Sequence, residues 1–139
     1  MTGYGDADRA LFMDVYELTM AQSYLNEEMD APATFSLFVR SSPASRGYFV
    51  FAGLEVVLRY LEELRFSPDA IDYLHGTGLF SAAFLSYLSE VRFTGDVWAL
   101  PEGRVFFPNE PVLEVTAPII ESQLVETFIM NQVNLQSIV

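Results

Sequence analysis

The last stretch of the chain, 118–139, constrains the fold more than any other. Pro118 opens a helical pattern that runs to Val139 with no terminal glycine, no basic last turn and no trailing proline. Those are the signals that ordinarily close a helix. Its apolar positions, Ile120, Leu124, Val125, Phe128, Ile129, Leu135, Ile138 and Val139, cover about half of the helix circumference. Asn131 falls inside that arc and must be paired if it is buried. A long helix with so wide an apolar arc belongs inside something larger. The sequence therefore predicts an α+β domain over 10–117 and, over 118–139, the start of a helix that leads into a part of the protein not present in this chain.

Ahead of that helix, 1–9 reads as a polar, disordered lead-in. Asp14 followed three residues later by Glu17 is a capping box, in which each side chain takes an orphan backbone donor. The helix it opens runs to about Asn26 and carries two apolar stripes. Val15, Leu18 and Leu25, preceded by Leu11, form one; Tyr16, Met20 and Tyr24 form another roughly opposite. One stripe can pack on the domain itself, and the other is left for a ligand, a partner or a missing domain. Residues 33–40 alternate as a strand, with Ala33, Phe35, Leu37 and Val39 on one side. After a Ser/Pro loop, 47–53 reads as a short buried strand between glycines. A helix follows over about 54–64, with Leu54, Val57, Leu58 and Leu61 facing the core. Ser67-Pro68 and Ser81 each cap a short helix, and Gly76 and Gly78 end the first of them. Three apolar runs at 97–100, 104–107 and 112–115, separated by Pro-Glu-Gly and Pro-Asn-Glu-Pro turns, read as a β-meander.

Composition narrows the chemistry. Net charge is -12, and all seven basic residues are arginine. A chain of this charge lacks the basic footprint that nucleic-acid binding requires. Without lysine it has no Schiff-base or Walker-type phosphate lysine. Without cysteine it has no thiol nucleophile, disulfide or cysteine-based zinc site. One histidine, His75, excludes a multi-histidine metal site within the chain. No 18-residue uncharged apolar run exists, so no membrane span is expected. These features point to a cytoplasmic, acidic domain.

Taken in order, the motifs resemble those of nicotinate phosphoribosyltransferases. The opening run Asp14-Val15-Tyr16-Glu17-Leu18-Thr19-Met20-Ala21-Gln22 is followed by Thr34-Phe35-Ser36-Leu37-Phe38-Val39-Arg40, Arg46-Gly47-Tyr48, Ala52-Gly53-Leu54-Glu55 and Phe93-Thr94-Gly95-Asp96-Val97. The strongest matches are Pro101-Glu102-Gly103, Phe107-Pro108-Asn109-Glu110-Pro111 and Glu121-Ser122-Gln123-Leu124-Val125-Glu126-Thr127, leading to Asn131 and Asn134. The resemblance implies the N-terminal α+β domain of a type II phosphoribosyltransferase, with helices packed on short antiparallel strands and the α/β barrel lying beyond this chain. It implies formation of nicotinate mononucleotide from nicotinate and 5-phosphoribosyl pyrophosphate, with ATP hydrolysis, in NAD salvage. ATP and Mg²⁺ are expected for the full enzyme and neither for this chain alone. The implied partners are the remainder of the enzyme and a second subunit in a homodimer, with no nucleic acid and no membrane.

The same resemblance implies roles for individual residues. Tyr16 corresponds to the tyrosine that stacks on the pyridine ring, and an aromatic face suits a flat, electron-poor ring. Arg40 corresponds to an arginine on the phosphates, where a planar guanidinium fork fits; Arg46 is a second phosphate candidate. Thr127 stands where quinolinate enzymes carry an arginine, which fits a substrate with one carboxylate. Asp14 is accounted for by capping, and Glu27, Glu28, Glu62 and Glu63 by solvation. His75 lies at a helix end and is not expected to be the phospho-acceptor. Read from its residues alone, the chain could instead be a non-catalytic binding module pairing through Tyr16, Met20 and Tyr24, or a truncated remnant. Within the enzyme class, nicotinamide or quinolinate remain alternative substrates. By itself the chain is expected to be inactive.

Overall fold

A computed structural model describes residues 6–138; residues 1–5 of the expected lead-in, and Val139, lie outside the described residues. Residues 6–9 fall within a short 3₁₀ helix, Asp6–Leu11. The elements that follow are α1 (Val15–Asn26), β1 (Pro32–Leu37), β2 (Phe49–Val50), α2 (Leu54–Glu62), α3 (Pro68–Gly76), α4 (Ala82–Glu90), β3 (Asp96–Ala99), β4 (Val105–Phe106), β5 (Leu113–Pro118) and α5 (Ile119–Ile138). Their boundaries follow local chemistry. The Glu17 carboxylate reaches back to the Asp14 N–H at 3.3 Å to open α1. Ser67 Oγ accepts from Ala70 N at 3.1 Å and Ser81 Oγ from Phe84 N at 3.2 Å, each satisfying a donor the helix itself cannot.

The three-stranded sheet has the order β1-β5-β3, antiparallel throughout. On its outer face the cross-strand pairs are polar: Thr34 and Thr116 share a hydrogen bond of 2.7 Å, and Ser36 Oγ donates to Glu114 at 2.9 Å. On the other face, the pairs Phe35–Val115 and Leu37–Leu113 turn toward α5. Gly95 permits β3 to come this close. A Cβ there would lie 2.4 Å from both Ala117 Cβ and Thr116 O.

The expected β-meander does not form. β4 leaves β3 and β5 and pairs with β2 in a separate two-stranded ladder. The Pro101-Glu102-Gly103 turn explains the departure. Glu102 Oε1 accepts from both Gly53 N and Leu54 N at 2.8 Å, capping α2 from the far side of the turn. Gly103 N then donates to Phe51 O at 2.8 Å, and Phe51 N to Arg104 O at 2.9 Å. A carboxylate on a helix N-terminus is favourable for dipole and hydrogen bond alike. Gly53 adopts φ +100, a conformation open to glycine at little cost.

Helices α1 and α2 each pack on α5, and α5 covers the sheet. Phe51, Phe84, Phe106, Leu64, Leu88 and Leu124 are among the fully buried side chains, and the Tyr60 ring stacks on Phe128 at 3.8 Å. Three expectations for the helices change. Val15 is 59% exposed, because α1 turns Glu17, Leu18 and Ala21 inward instead. On α2, Tyr60 is buried where Leu58 was expected, since the α5 side of the helix is the one that meets Phe128. On α5, Leu135 and Asn131 both lie on exposed surface, so Asn131 needs no buried partner. Trp98, on edge strand β3, is 73% exposed. No helix among the described residues is long and apolar enough to cross a membrane.

Candidate functional site

The point where α1 crosses α5 brings together more chemistry than any other place on the surface. Glu17 is fully buried there. A carboxylate stripped of water is costly unless donors replace it. Here the donors come from α5: Thr127 N at 3.0 Å and Thr127 Oγ1 at 2.6 Å, both to Glu17 Oε1, with Asp14 N on the other oxygen. Burial pushes the Glu17 carboxyl above its ordinary range, assisted by the charge of Glu126, while the bonds from Thr127 and Asp14 pull the other way. The Thr127 hydroxyl is thus engaged with α1.

One residue earlier on α5, the Glu126 carboxylate accepts from Gln123 Nε2 at 2.7 Å. The Tyr16 phenol is shifted upward by burial first, then by the charges of Glu126, Glu17 and Asp14. Its ring is nonetheless 46% exposed, on the same flank as Val15 and Met20, which are also exposed. An aromatic face is therefore presented outward. Between the inner face of the sheet and α5 lies an open cleft of about 160 Å³. Its walls are largely apolar (Phe35, Leu37, Val115, Ile129), with Ser36, Ser122 and Glu126 as polar points.

The other sequence candidates lie elsewhere. Arg40 is exposed beyond the end of β1. That end is held by the Pro-Asn-Glu-Pro turn: Asn109 N donates to Val39 O at 2.7 Å and Val112 N to Leu37 O at 2.9 Å, while Glu110 caps Phe107 N at 3.1 Å. Arg46 is half-buried; its guanidinium donates to the Ile138 carbonyl and sits over the Phe49 ring at 5.6 Å. The α5 residue that holds Glu17, next to Tyr16, is Thr127, and the one that holds Arg46 is Ile138, eleven residues and about 16 Å further along the helix. Tyr16 and Arg46 therefore do not share a wall. His75 is exposed in the last turn of α3. The described residues hold no group of three or more His, Cys, Asp or Glu placed for a metal ion.

Sequence reading missed the interior role of Glu17, which was hidden because its partner Thr127 lies on another helix.

The fold and the crossing define a class: an α+β domain of short antiparallel strands under a long helix, with an aromatic side chain held outward at the helix crossing. A family model described as the nicotinate phosphoribosyltransferase (NAPRTase) N-terminal domain matches residues 11–134, and the chain belongs to that family. It is 55% identical over 129 residues to nicotinate phosphoribosyltransferase pncB2 of Mycobacterium tuberculosis, covering 93% of this chain and 28% of that protein. The Bacillus subtilis nicotinate phosphoribosyltransferase is 38% identical over 138 residues, covering 99% of this chain and 28% of that protein. Among solved structures, human nicotinic acid phosphoribosyltransferase aligns with a TM-score of 0.78 and 31% identity, covering 87% of this chain and 25% of that one. Nicotinate-nucleotide pyrophosphorylase from Pyrococcus furiosus shares the fold, with a TM-score of 0.67 at 19% identity, covering 96% of this chain and 27% of that one. The chain thus spans a little over a quarter of the length of the relatives it matches.

Proposed function

We propose that this chain is the N-terminal part of a nicotinate phosphoribosyltransferase, joining nicotinate to 5-phosphoribosyl pyrophosphate to give nicotinate mononucleotide in NAD salvage, with ATP hydrolysis. The observation that carries the reading is the 55% identity to the M. tuberculosis enzyme across nearly the whole chain. The α+β domain over 10–117 and the helix from 118 onward would serve as one wall of a site completed by the barrel and by a second subunit of a homodimer. In this reading the outward Tyr16 ring stacks on the pyridine of nicotinate, since offset contact with an aromatic face suits a flat, electron-poor ring. Arg40, exposed at the end of β1, meets phosphate oxygens with its planar fork. Arg46 takes part only if its guanidinium leaves the Ile138 carbonyl. Mg²⁺ would arrive on the substrate phosphates, as is usual for that ion. The reaction belongs to the cytoplasm, where NAD salvage substrates are available.

The test is a pair of assays for nicotinate mononucleotide. The 139-residue chain alone is expected to form none, because it spans little more than a quarter of its relatives. A chimera in which residues 11–134 replace the matching segment of the M. tuberculosis enzyme is expected to be active. A folded but inactive chimera would overturn the reading; turnover by the isolated chain would overturn its dependence on a barrel.

A further inference from the structure

The two-stranded β2–β4 ribbon is apolar on both of its faces. Phe49 and Phe106 pair across it, stack with ring centroids 5.4 Å apart, and are buried in the core. Side chains alternate along a strand, so the next pair, Val50–Val105, turns to the opposite face. Tyr48 and Phe107 flank the buried pair on its other side and follow the same alternation. These four side chains are between 42% and 57% exposed. Apolar side chains scattered singly over a surface are ordinary. Four on one face of one ribbon form a contiguous patch, of the kind that marks an interaction site.

The path of α5 indicates what covers the patch. Ser137 Oγ accepts from Ala52 N at 2.9 Å and donates to Ala52 O at 3.0 Å, while the Arg46 guanidinium donates to the Ile138 carbonyl. Arg46 and Ala52 bracket β2 in sequence, so the last turn of α5 is fastened along that strand. A polypeptide continuing from this turn departs beside the ribbon. The family match is to an N-terminal domain, and the matched segment is 28% of the M. tuberculosis protein, so that relative carries a large remainder. We propose that the outer face of the ribbon (Tyr48, Val50, Val105 and Phe107) is a docking surface for the part of the same polypeptide that follows residue 139 in the complete enzyme. That part meets it with uncharged, apolar side chains. A tethered segment is held near the face at high effective concentration and loses little translational freedom on docking, an advantage a second copy lacks. The ribbon also meets α5 away from Thr127 and the α1 crossing, so docking leaves the Tyr16 flank open. The inference rests on the reading of this chain as the N-terminal part of a longer enzyme.

The experiment uses the complete enzyme and carries the photo-crosslinker p-benzoylphenylalanine in place of Val50 or, separately, of Val105. After irradiation the adducts are sized on a denaturing gel and mapped by peptide mass spectrometry. Adducts are expected at the mass of one chain, joining position 50 or 105 to peptides beyond residue 139. Adducts at the mass of two chains would give the face to a second copy and overturn the proposal. Adducts confined to peptides within 1–139, or none, would leave the face in solvent and overturn it equally. If neither bulky variant folds, Val50→Cys reads the same face with iodoacetamide. That cysteine is expected to be alkylated in urea and protected in the native enzyme; native alkylation at the urea rate overturns the proposal. Formation of nicotinate mononucleotide by the unsubstituted enzyme is assayed alongside. An active enzyme with a solvent-exposed ribbon breaks the docking proposal alone, whereas a folded, inactive enzyme breaks the proposed function.

Discussion

The two halves of α5 are built on different terms. From Ile120 to Val125 six consecutive residues are buried, including Glu121, Ser122 and Gln123. No amphipathic pattern allows that; the helix is buried around its circumference here, and its polar side chains find partners within the domain. Glu121 accepts from Thr94 N at 2.8 Å and Thr94 Oγ1 at 3.0 Å, and Ser122 Oγ donates to the carbonyls of Ala33 and Ala117. Beyond Met130, Val133 alone is buried among the described residues. There the helix is held by a few polar pins: Ser137 to both backbone groups of Ala52, and Arg46 to the Ile138 carbonyl. One half is anchored by enclosure and the other by docking along one side. The same helix thus closes the core at one end and leaves a broad surface at the other.

The contrast makes ordered predictions, each readable by urea unfolding followed by far-UV circular dichroism. Leu124→Ala, in the enclosed half, is expected to cost about 3–4 kcal/mol through a cavity that cannot collapse. A cost below about 1 kcal/mol would mean that this half is not enclosed. Gly95→Ala attacks the same half through the sheet beneath it, and the clash with Ala117 and Thr116 is expected to cost about 2–3 kcal/mol. Ser137→Ala removes one pin from the docked half and should cost about 1 kcal/mol. Leu135→Ala, at a side chain 56% exposed, should cost under about 0.5 kcal/mol. Equal losses at 124 and 135 would abolish the distinction.

The α1 crossing sharpens it by pH. The Glu17 carboxyl is held above its unfolded value, chiefly by burial. Glu17 therefore favours folding most when protonated, below about pH 4.5, and that contribution is lost as pH rises through its raised folded value. Glu17→Gln cannot titrate. The stability of that variant relative to the parent should rise between pH 4.5 and neutrality. A difference independent of pH would show that the carboxyl titrates alike in the folded and unfolded chain.

What could be read ahead of the structure was local. The Asp14-Glu17 box, the serine caps at 67 and 81, and the alternation of β1 all follow from residues within a few positions of one another. Strand pairing was not legible, because the choice of β2 as the partner of β4 depends on Glu102 reaching α2 from 48 and 49 residues away. The buried glutamates were hidden for a related reason. Hydrophobic periodicity turns every carboxylate outward, whereas Glu17 is admitted to the interior by donors 110 residues along the chain. Of the stripe Tyr16, Met20 and Tyr24, the first two are exposed and Tyr24 packs against the core, because its position on α1 brings it nearer the domain.

The position of Trp98 has an optical consequence. The chain has one tryptophan, and it stands on an edge strand, mostly in water. Its emission in the native protein should already be red-shifted toward that of the free indole, and it should change little as the core melts. The same exposure makes it a sensitive dye for whatever lies against β3. A blue shift on joining another polypeptide would report that the rim of the sheet has been covered, even while every buried phenylalanine stays where it was.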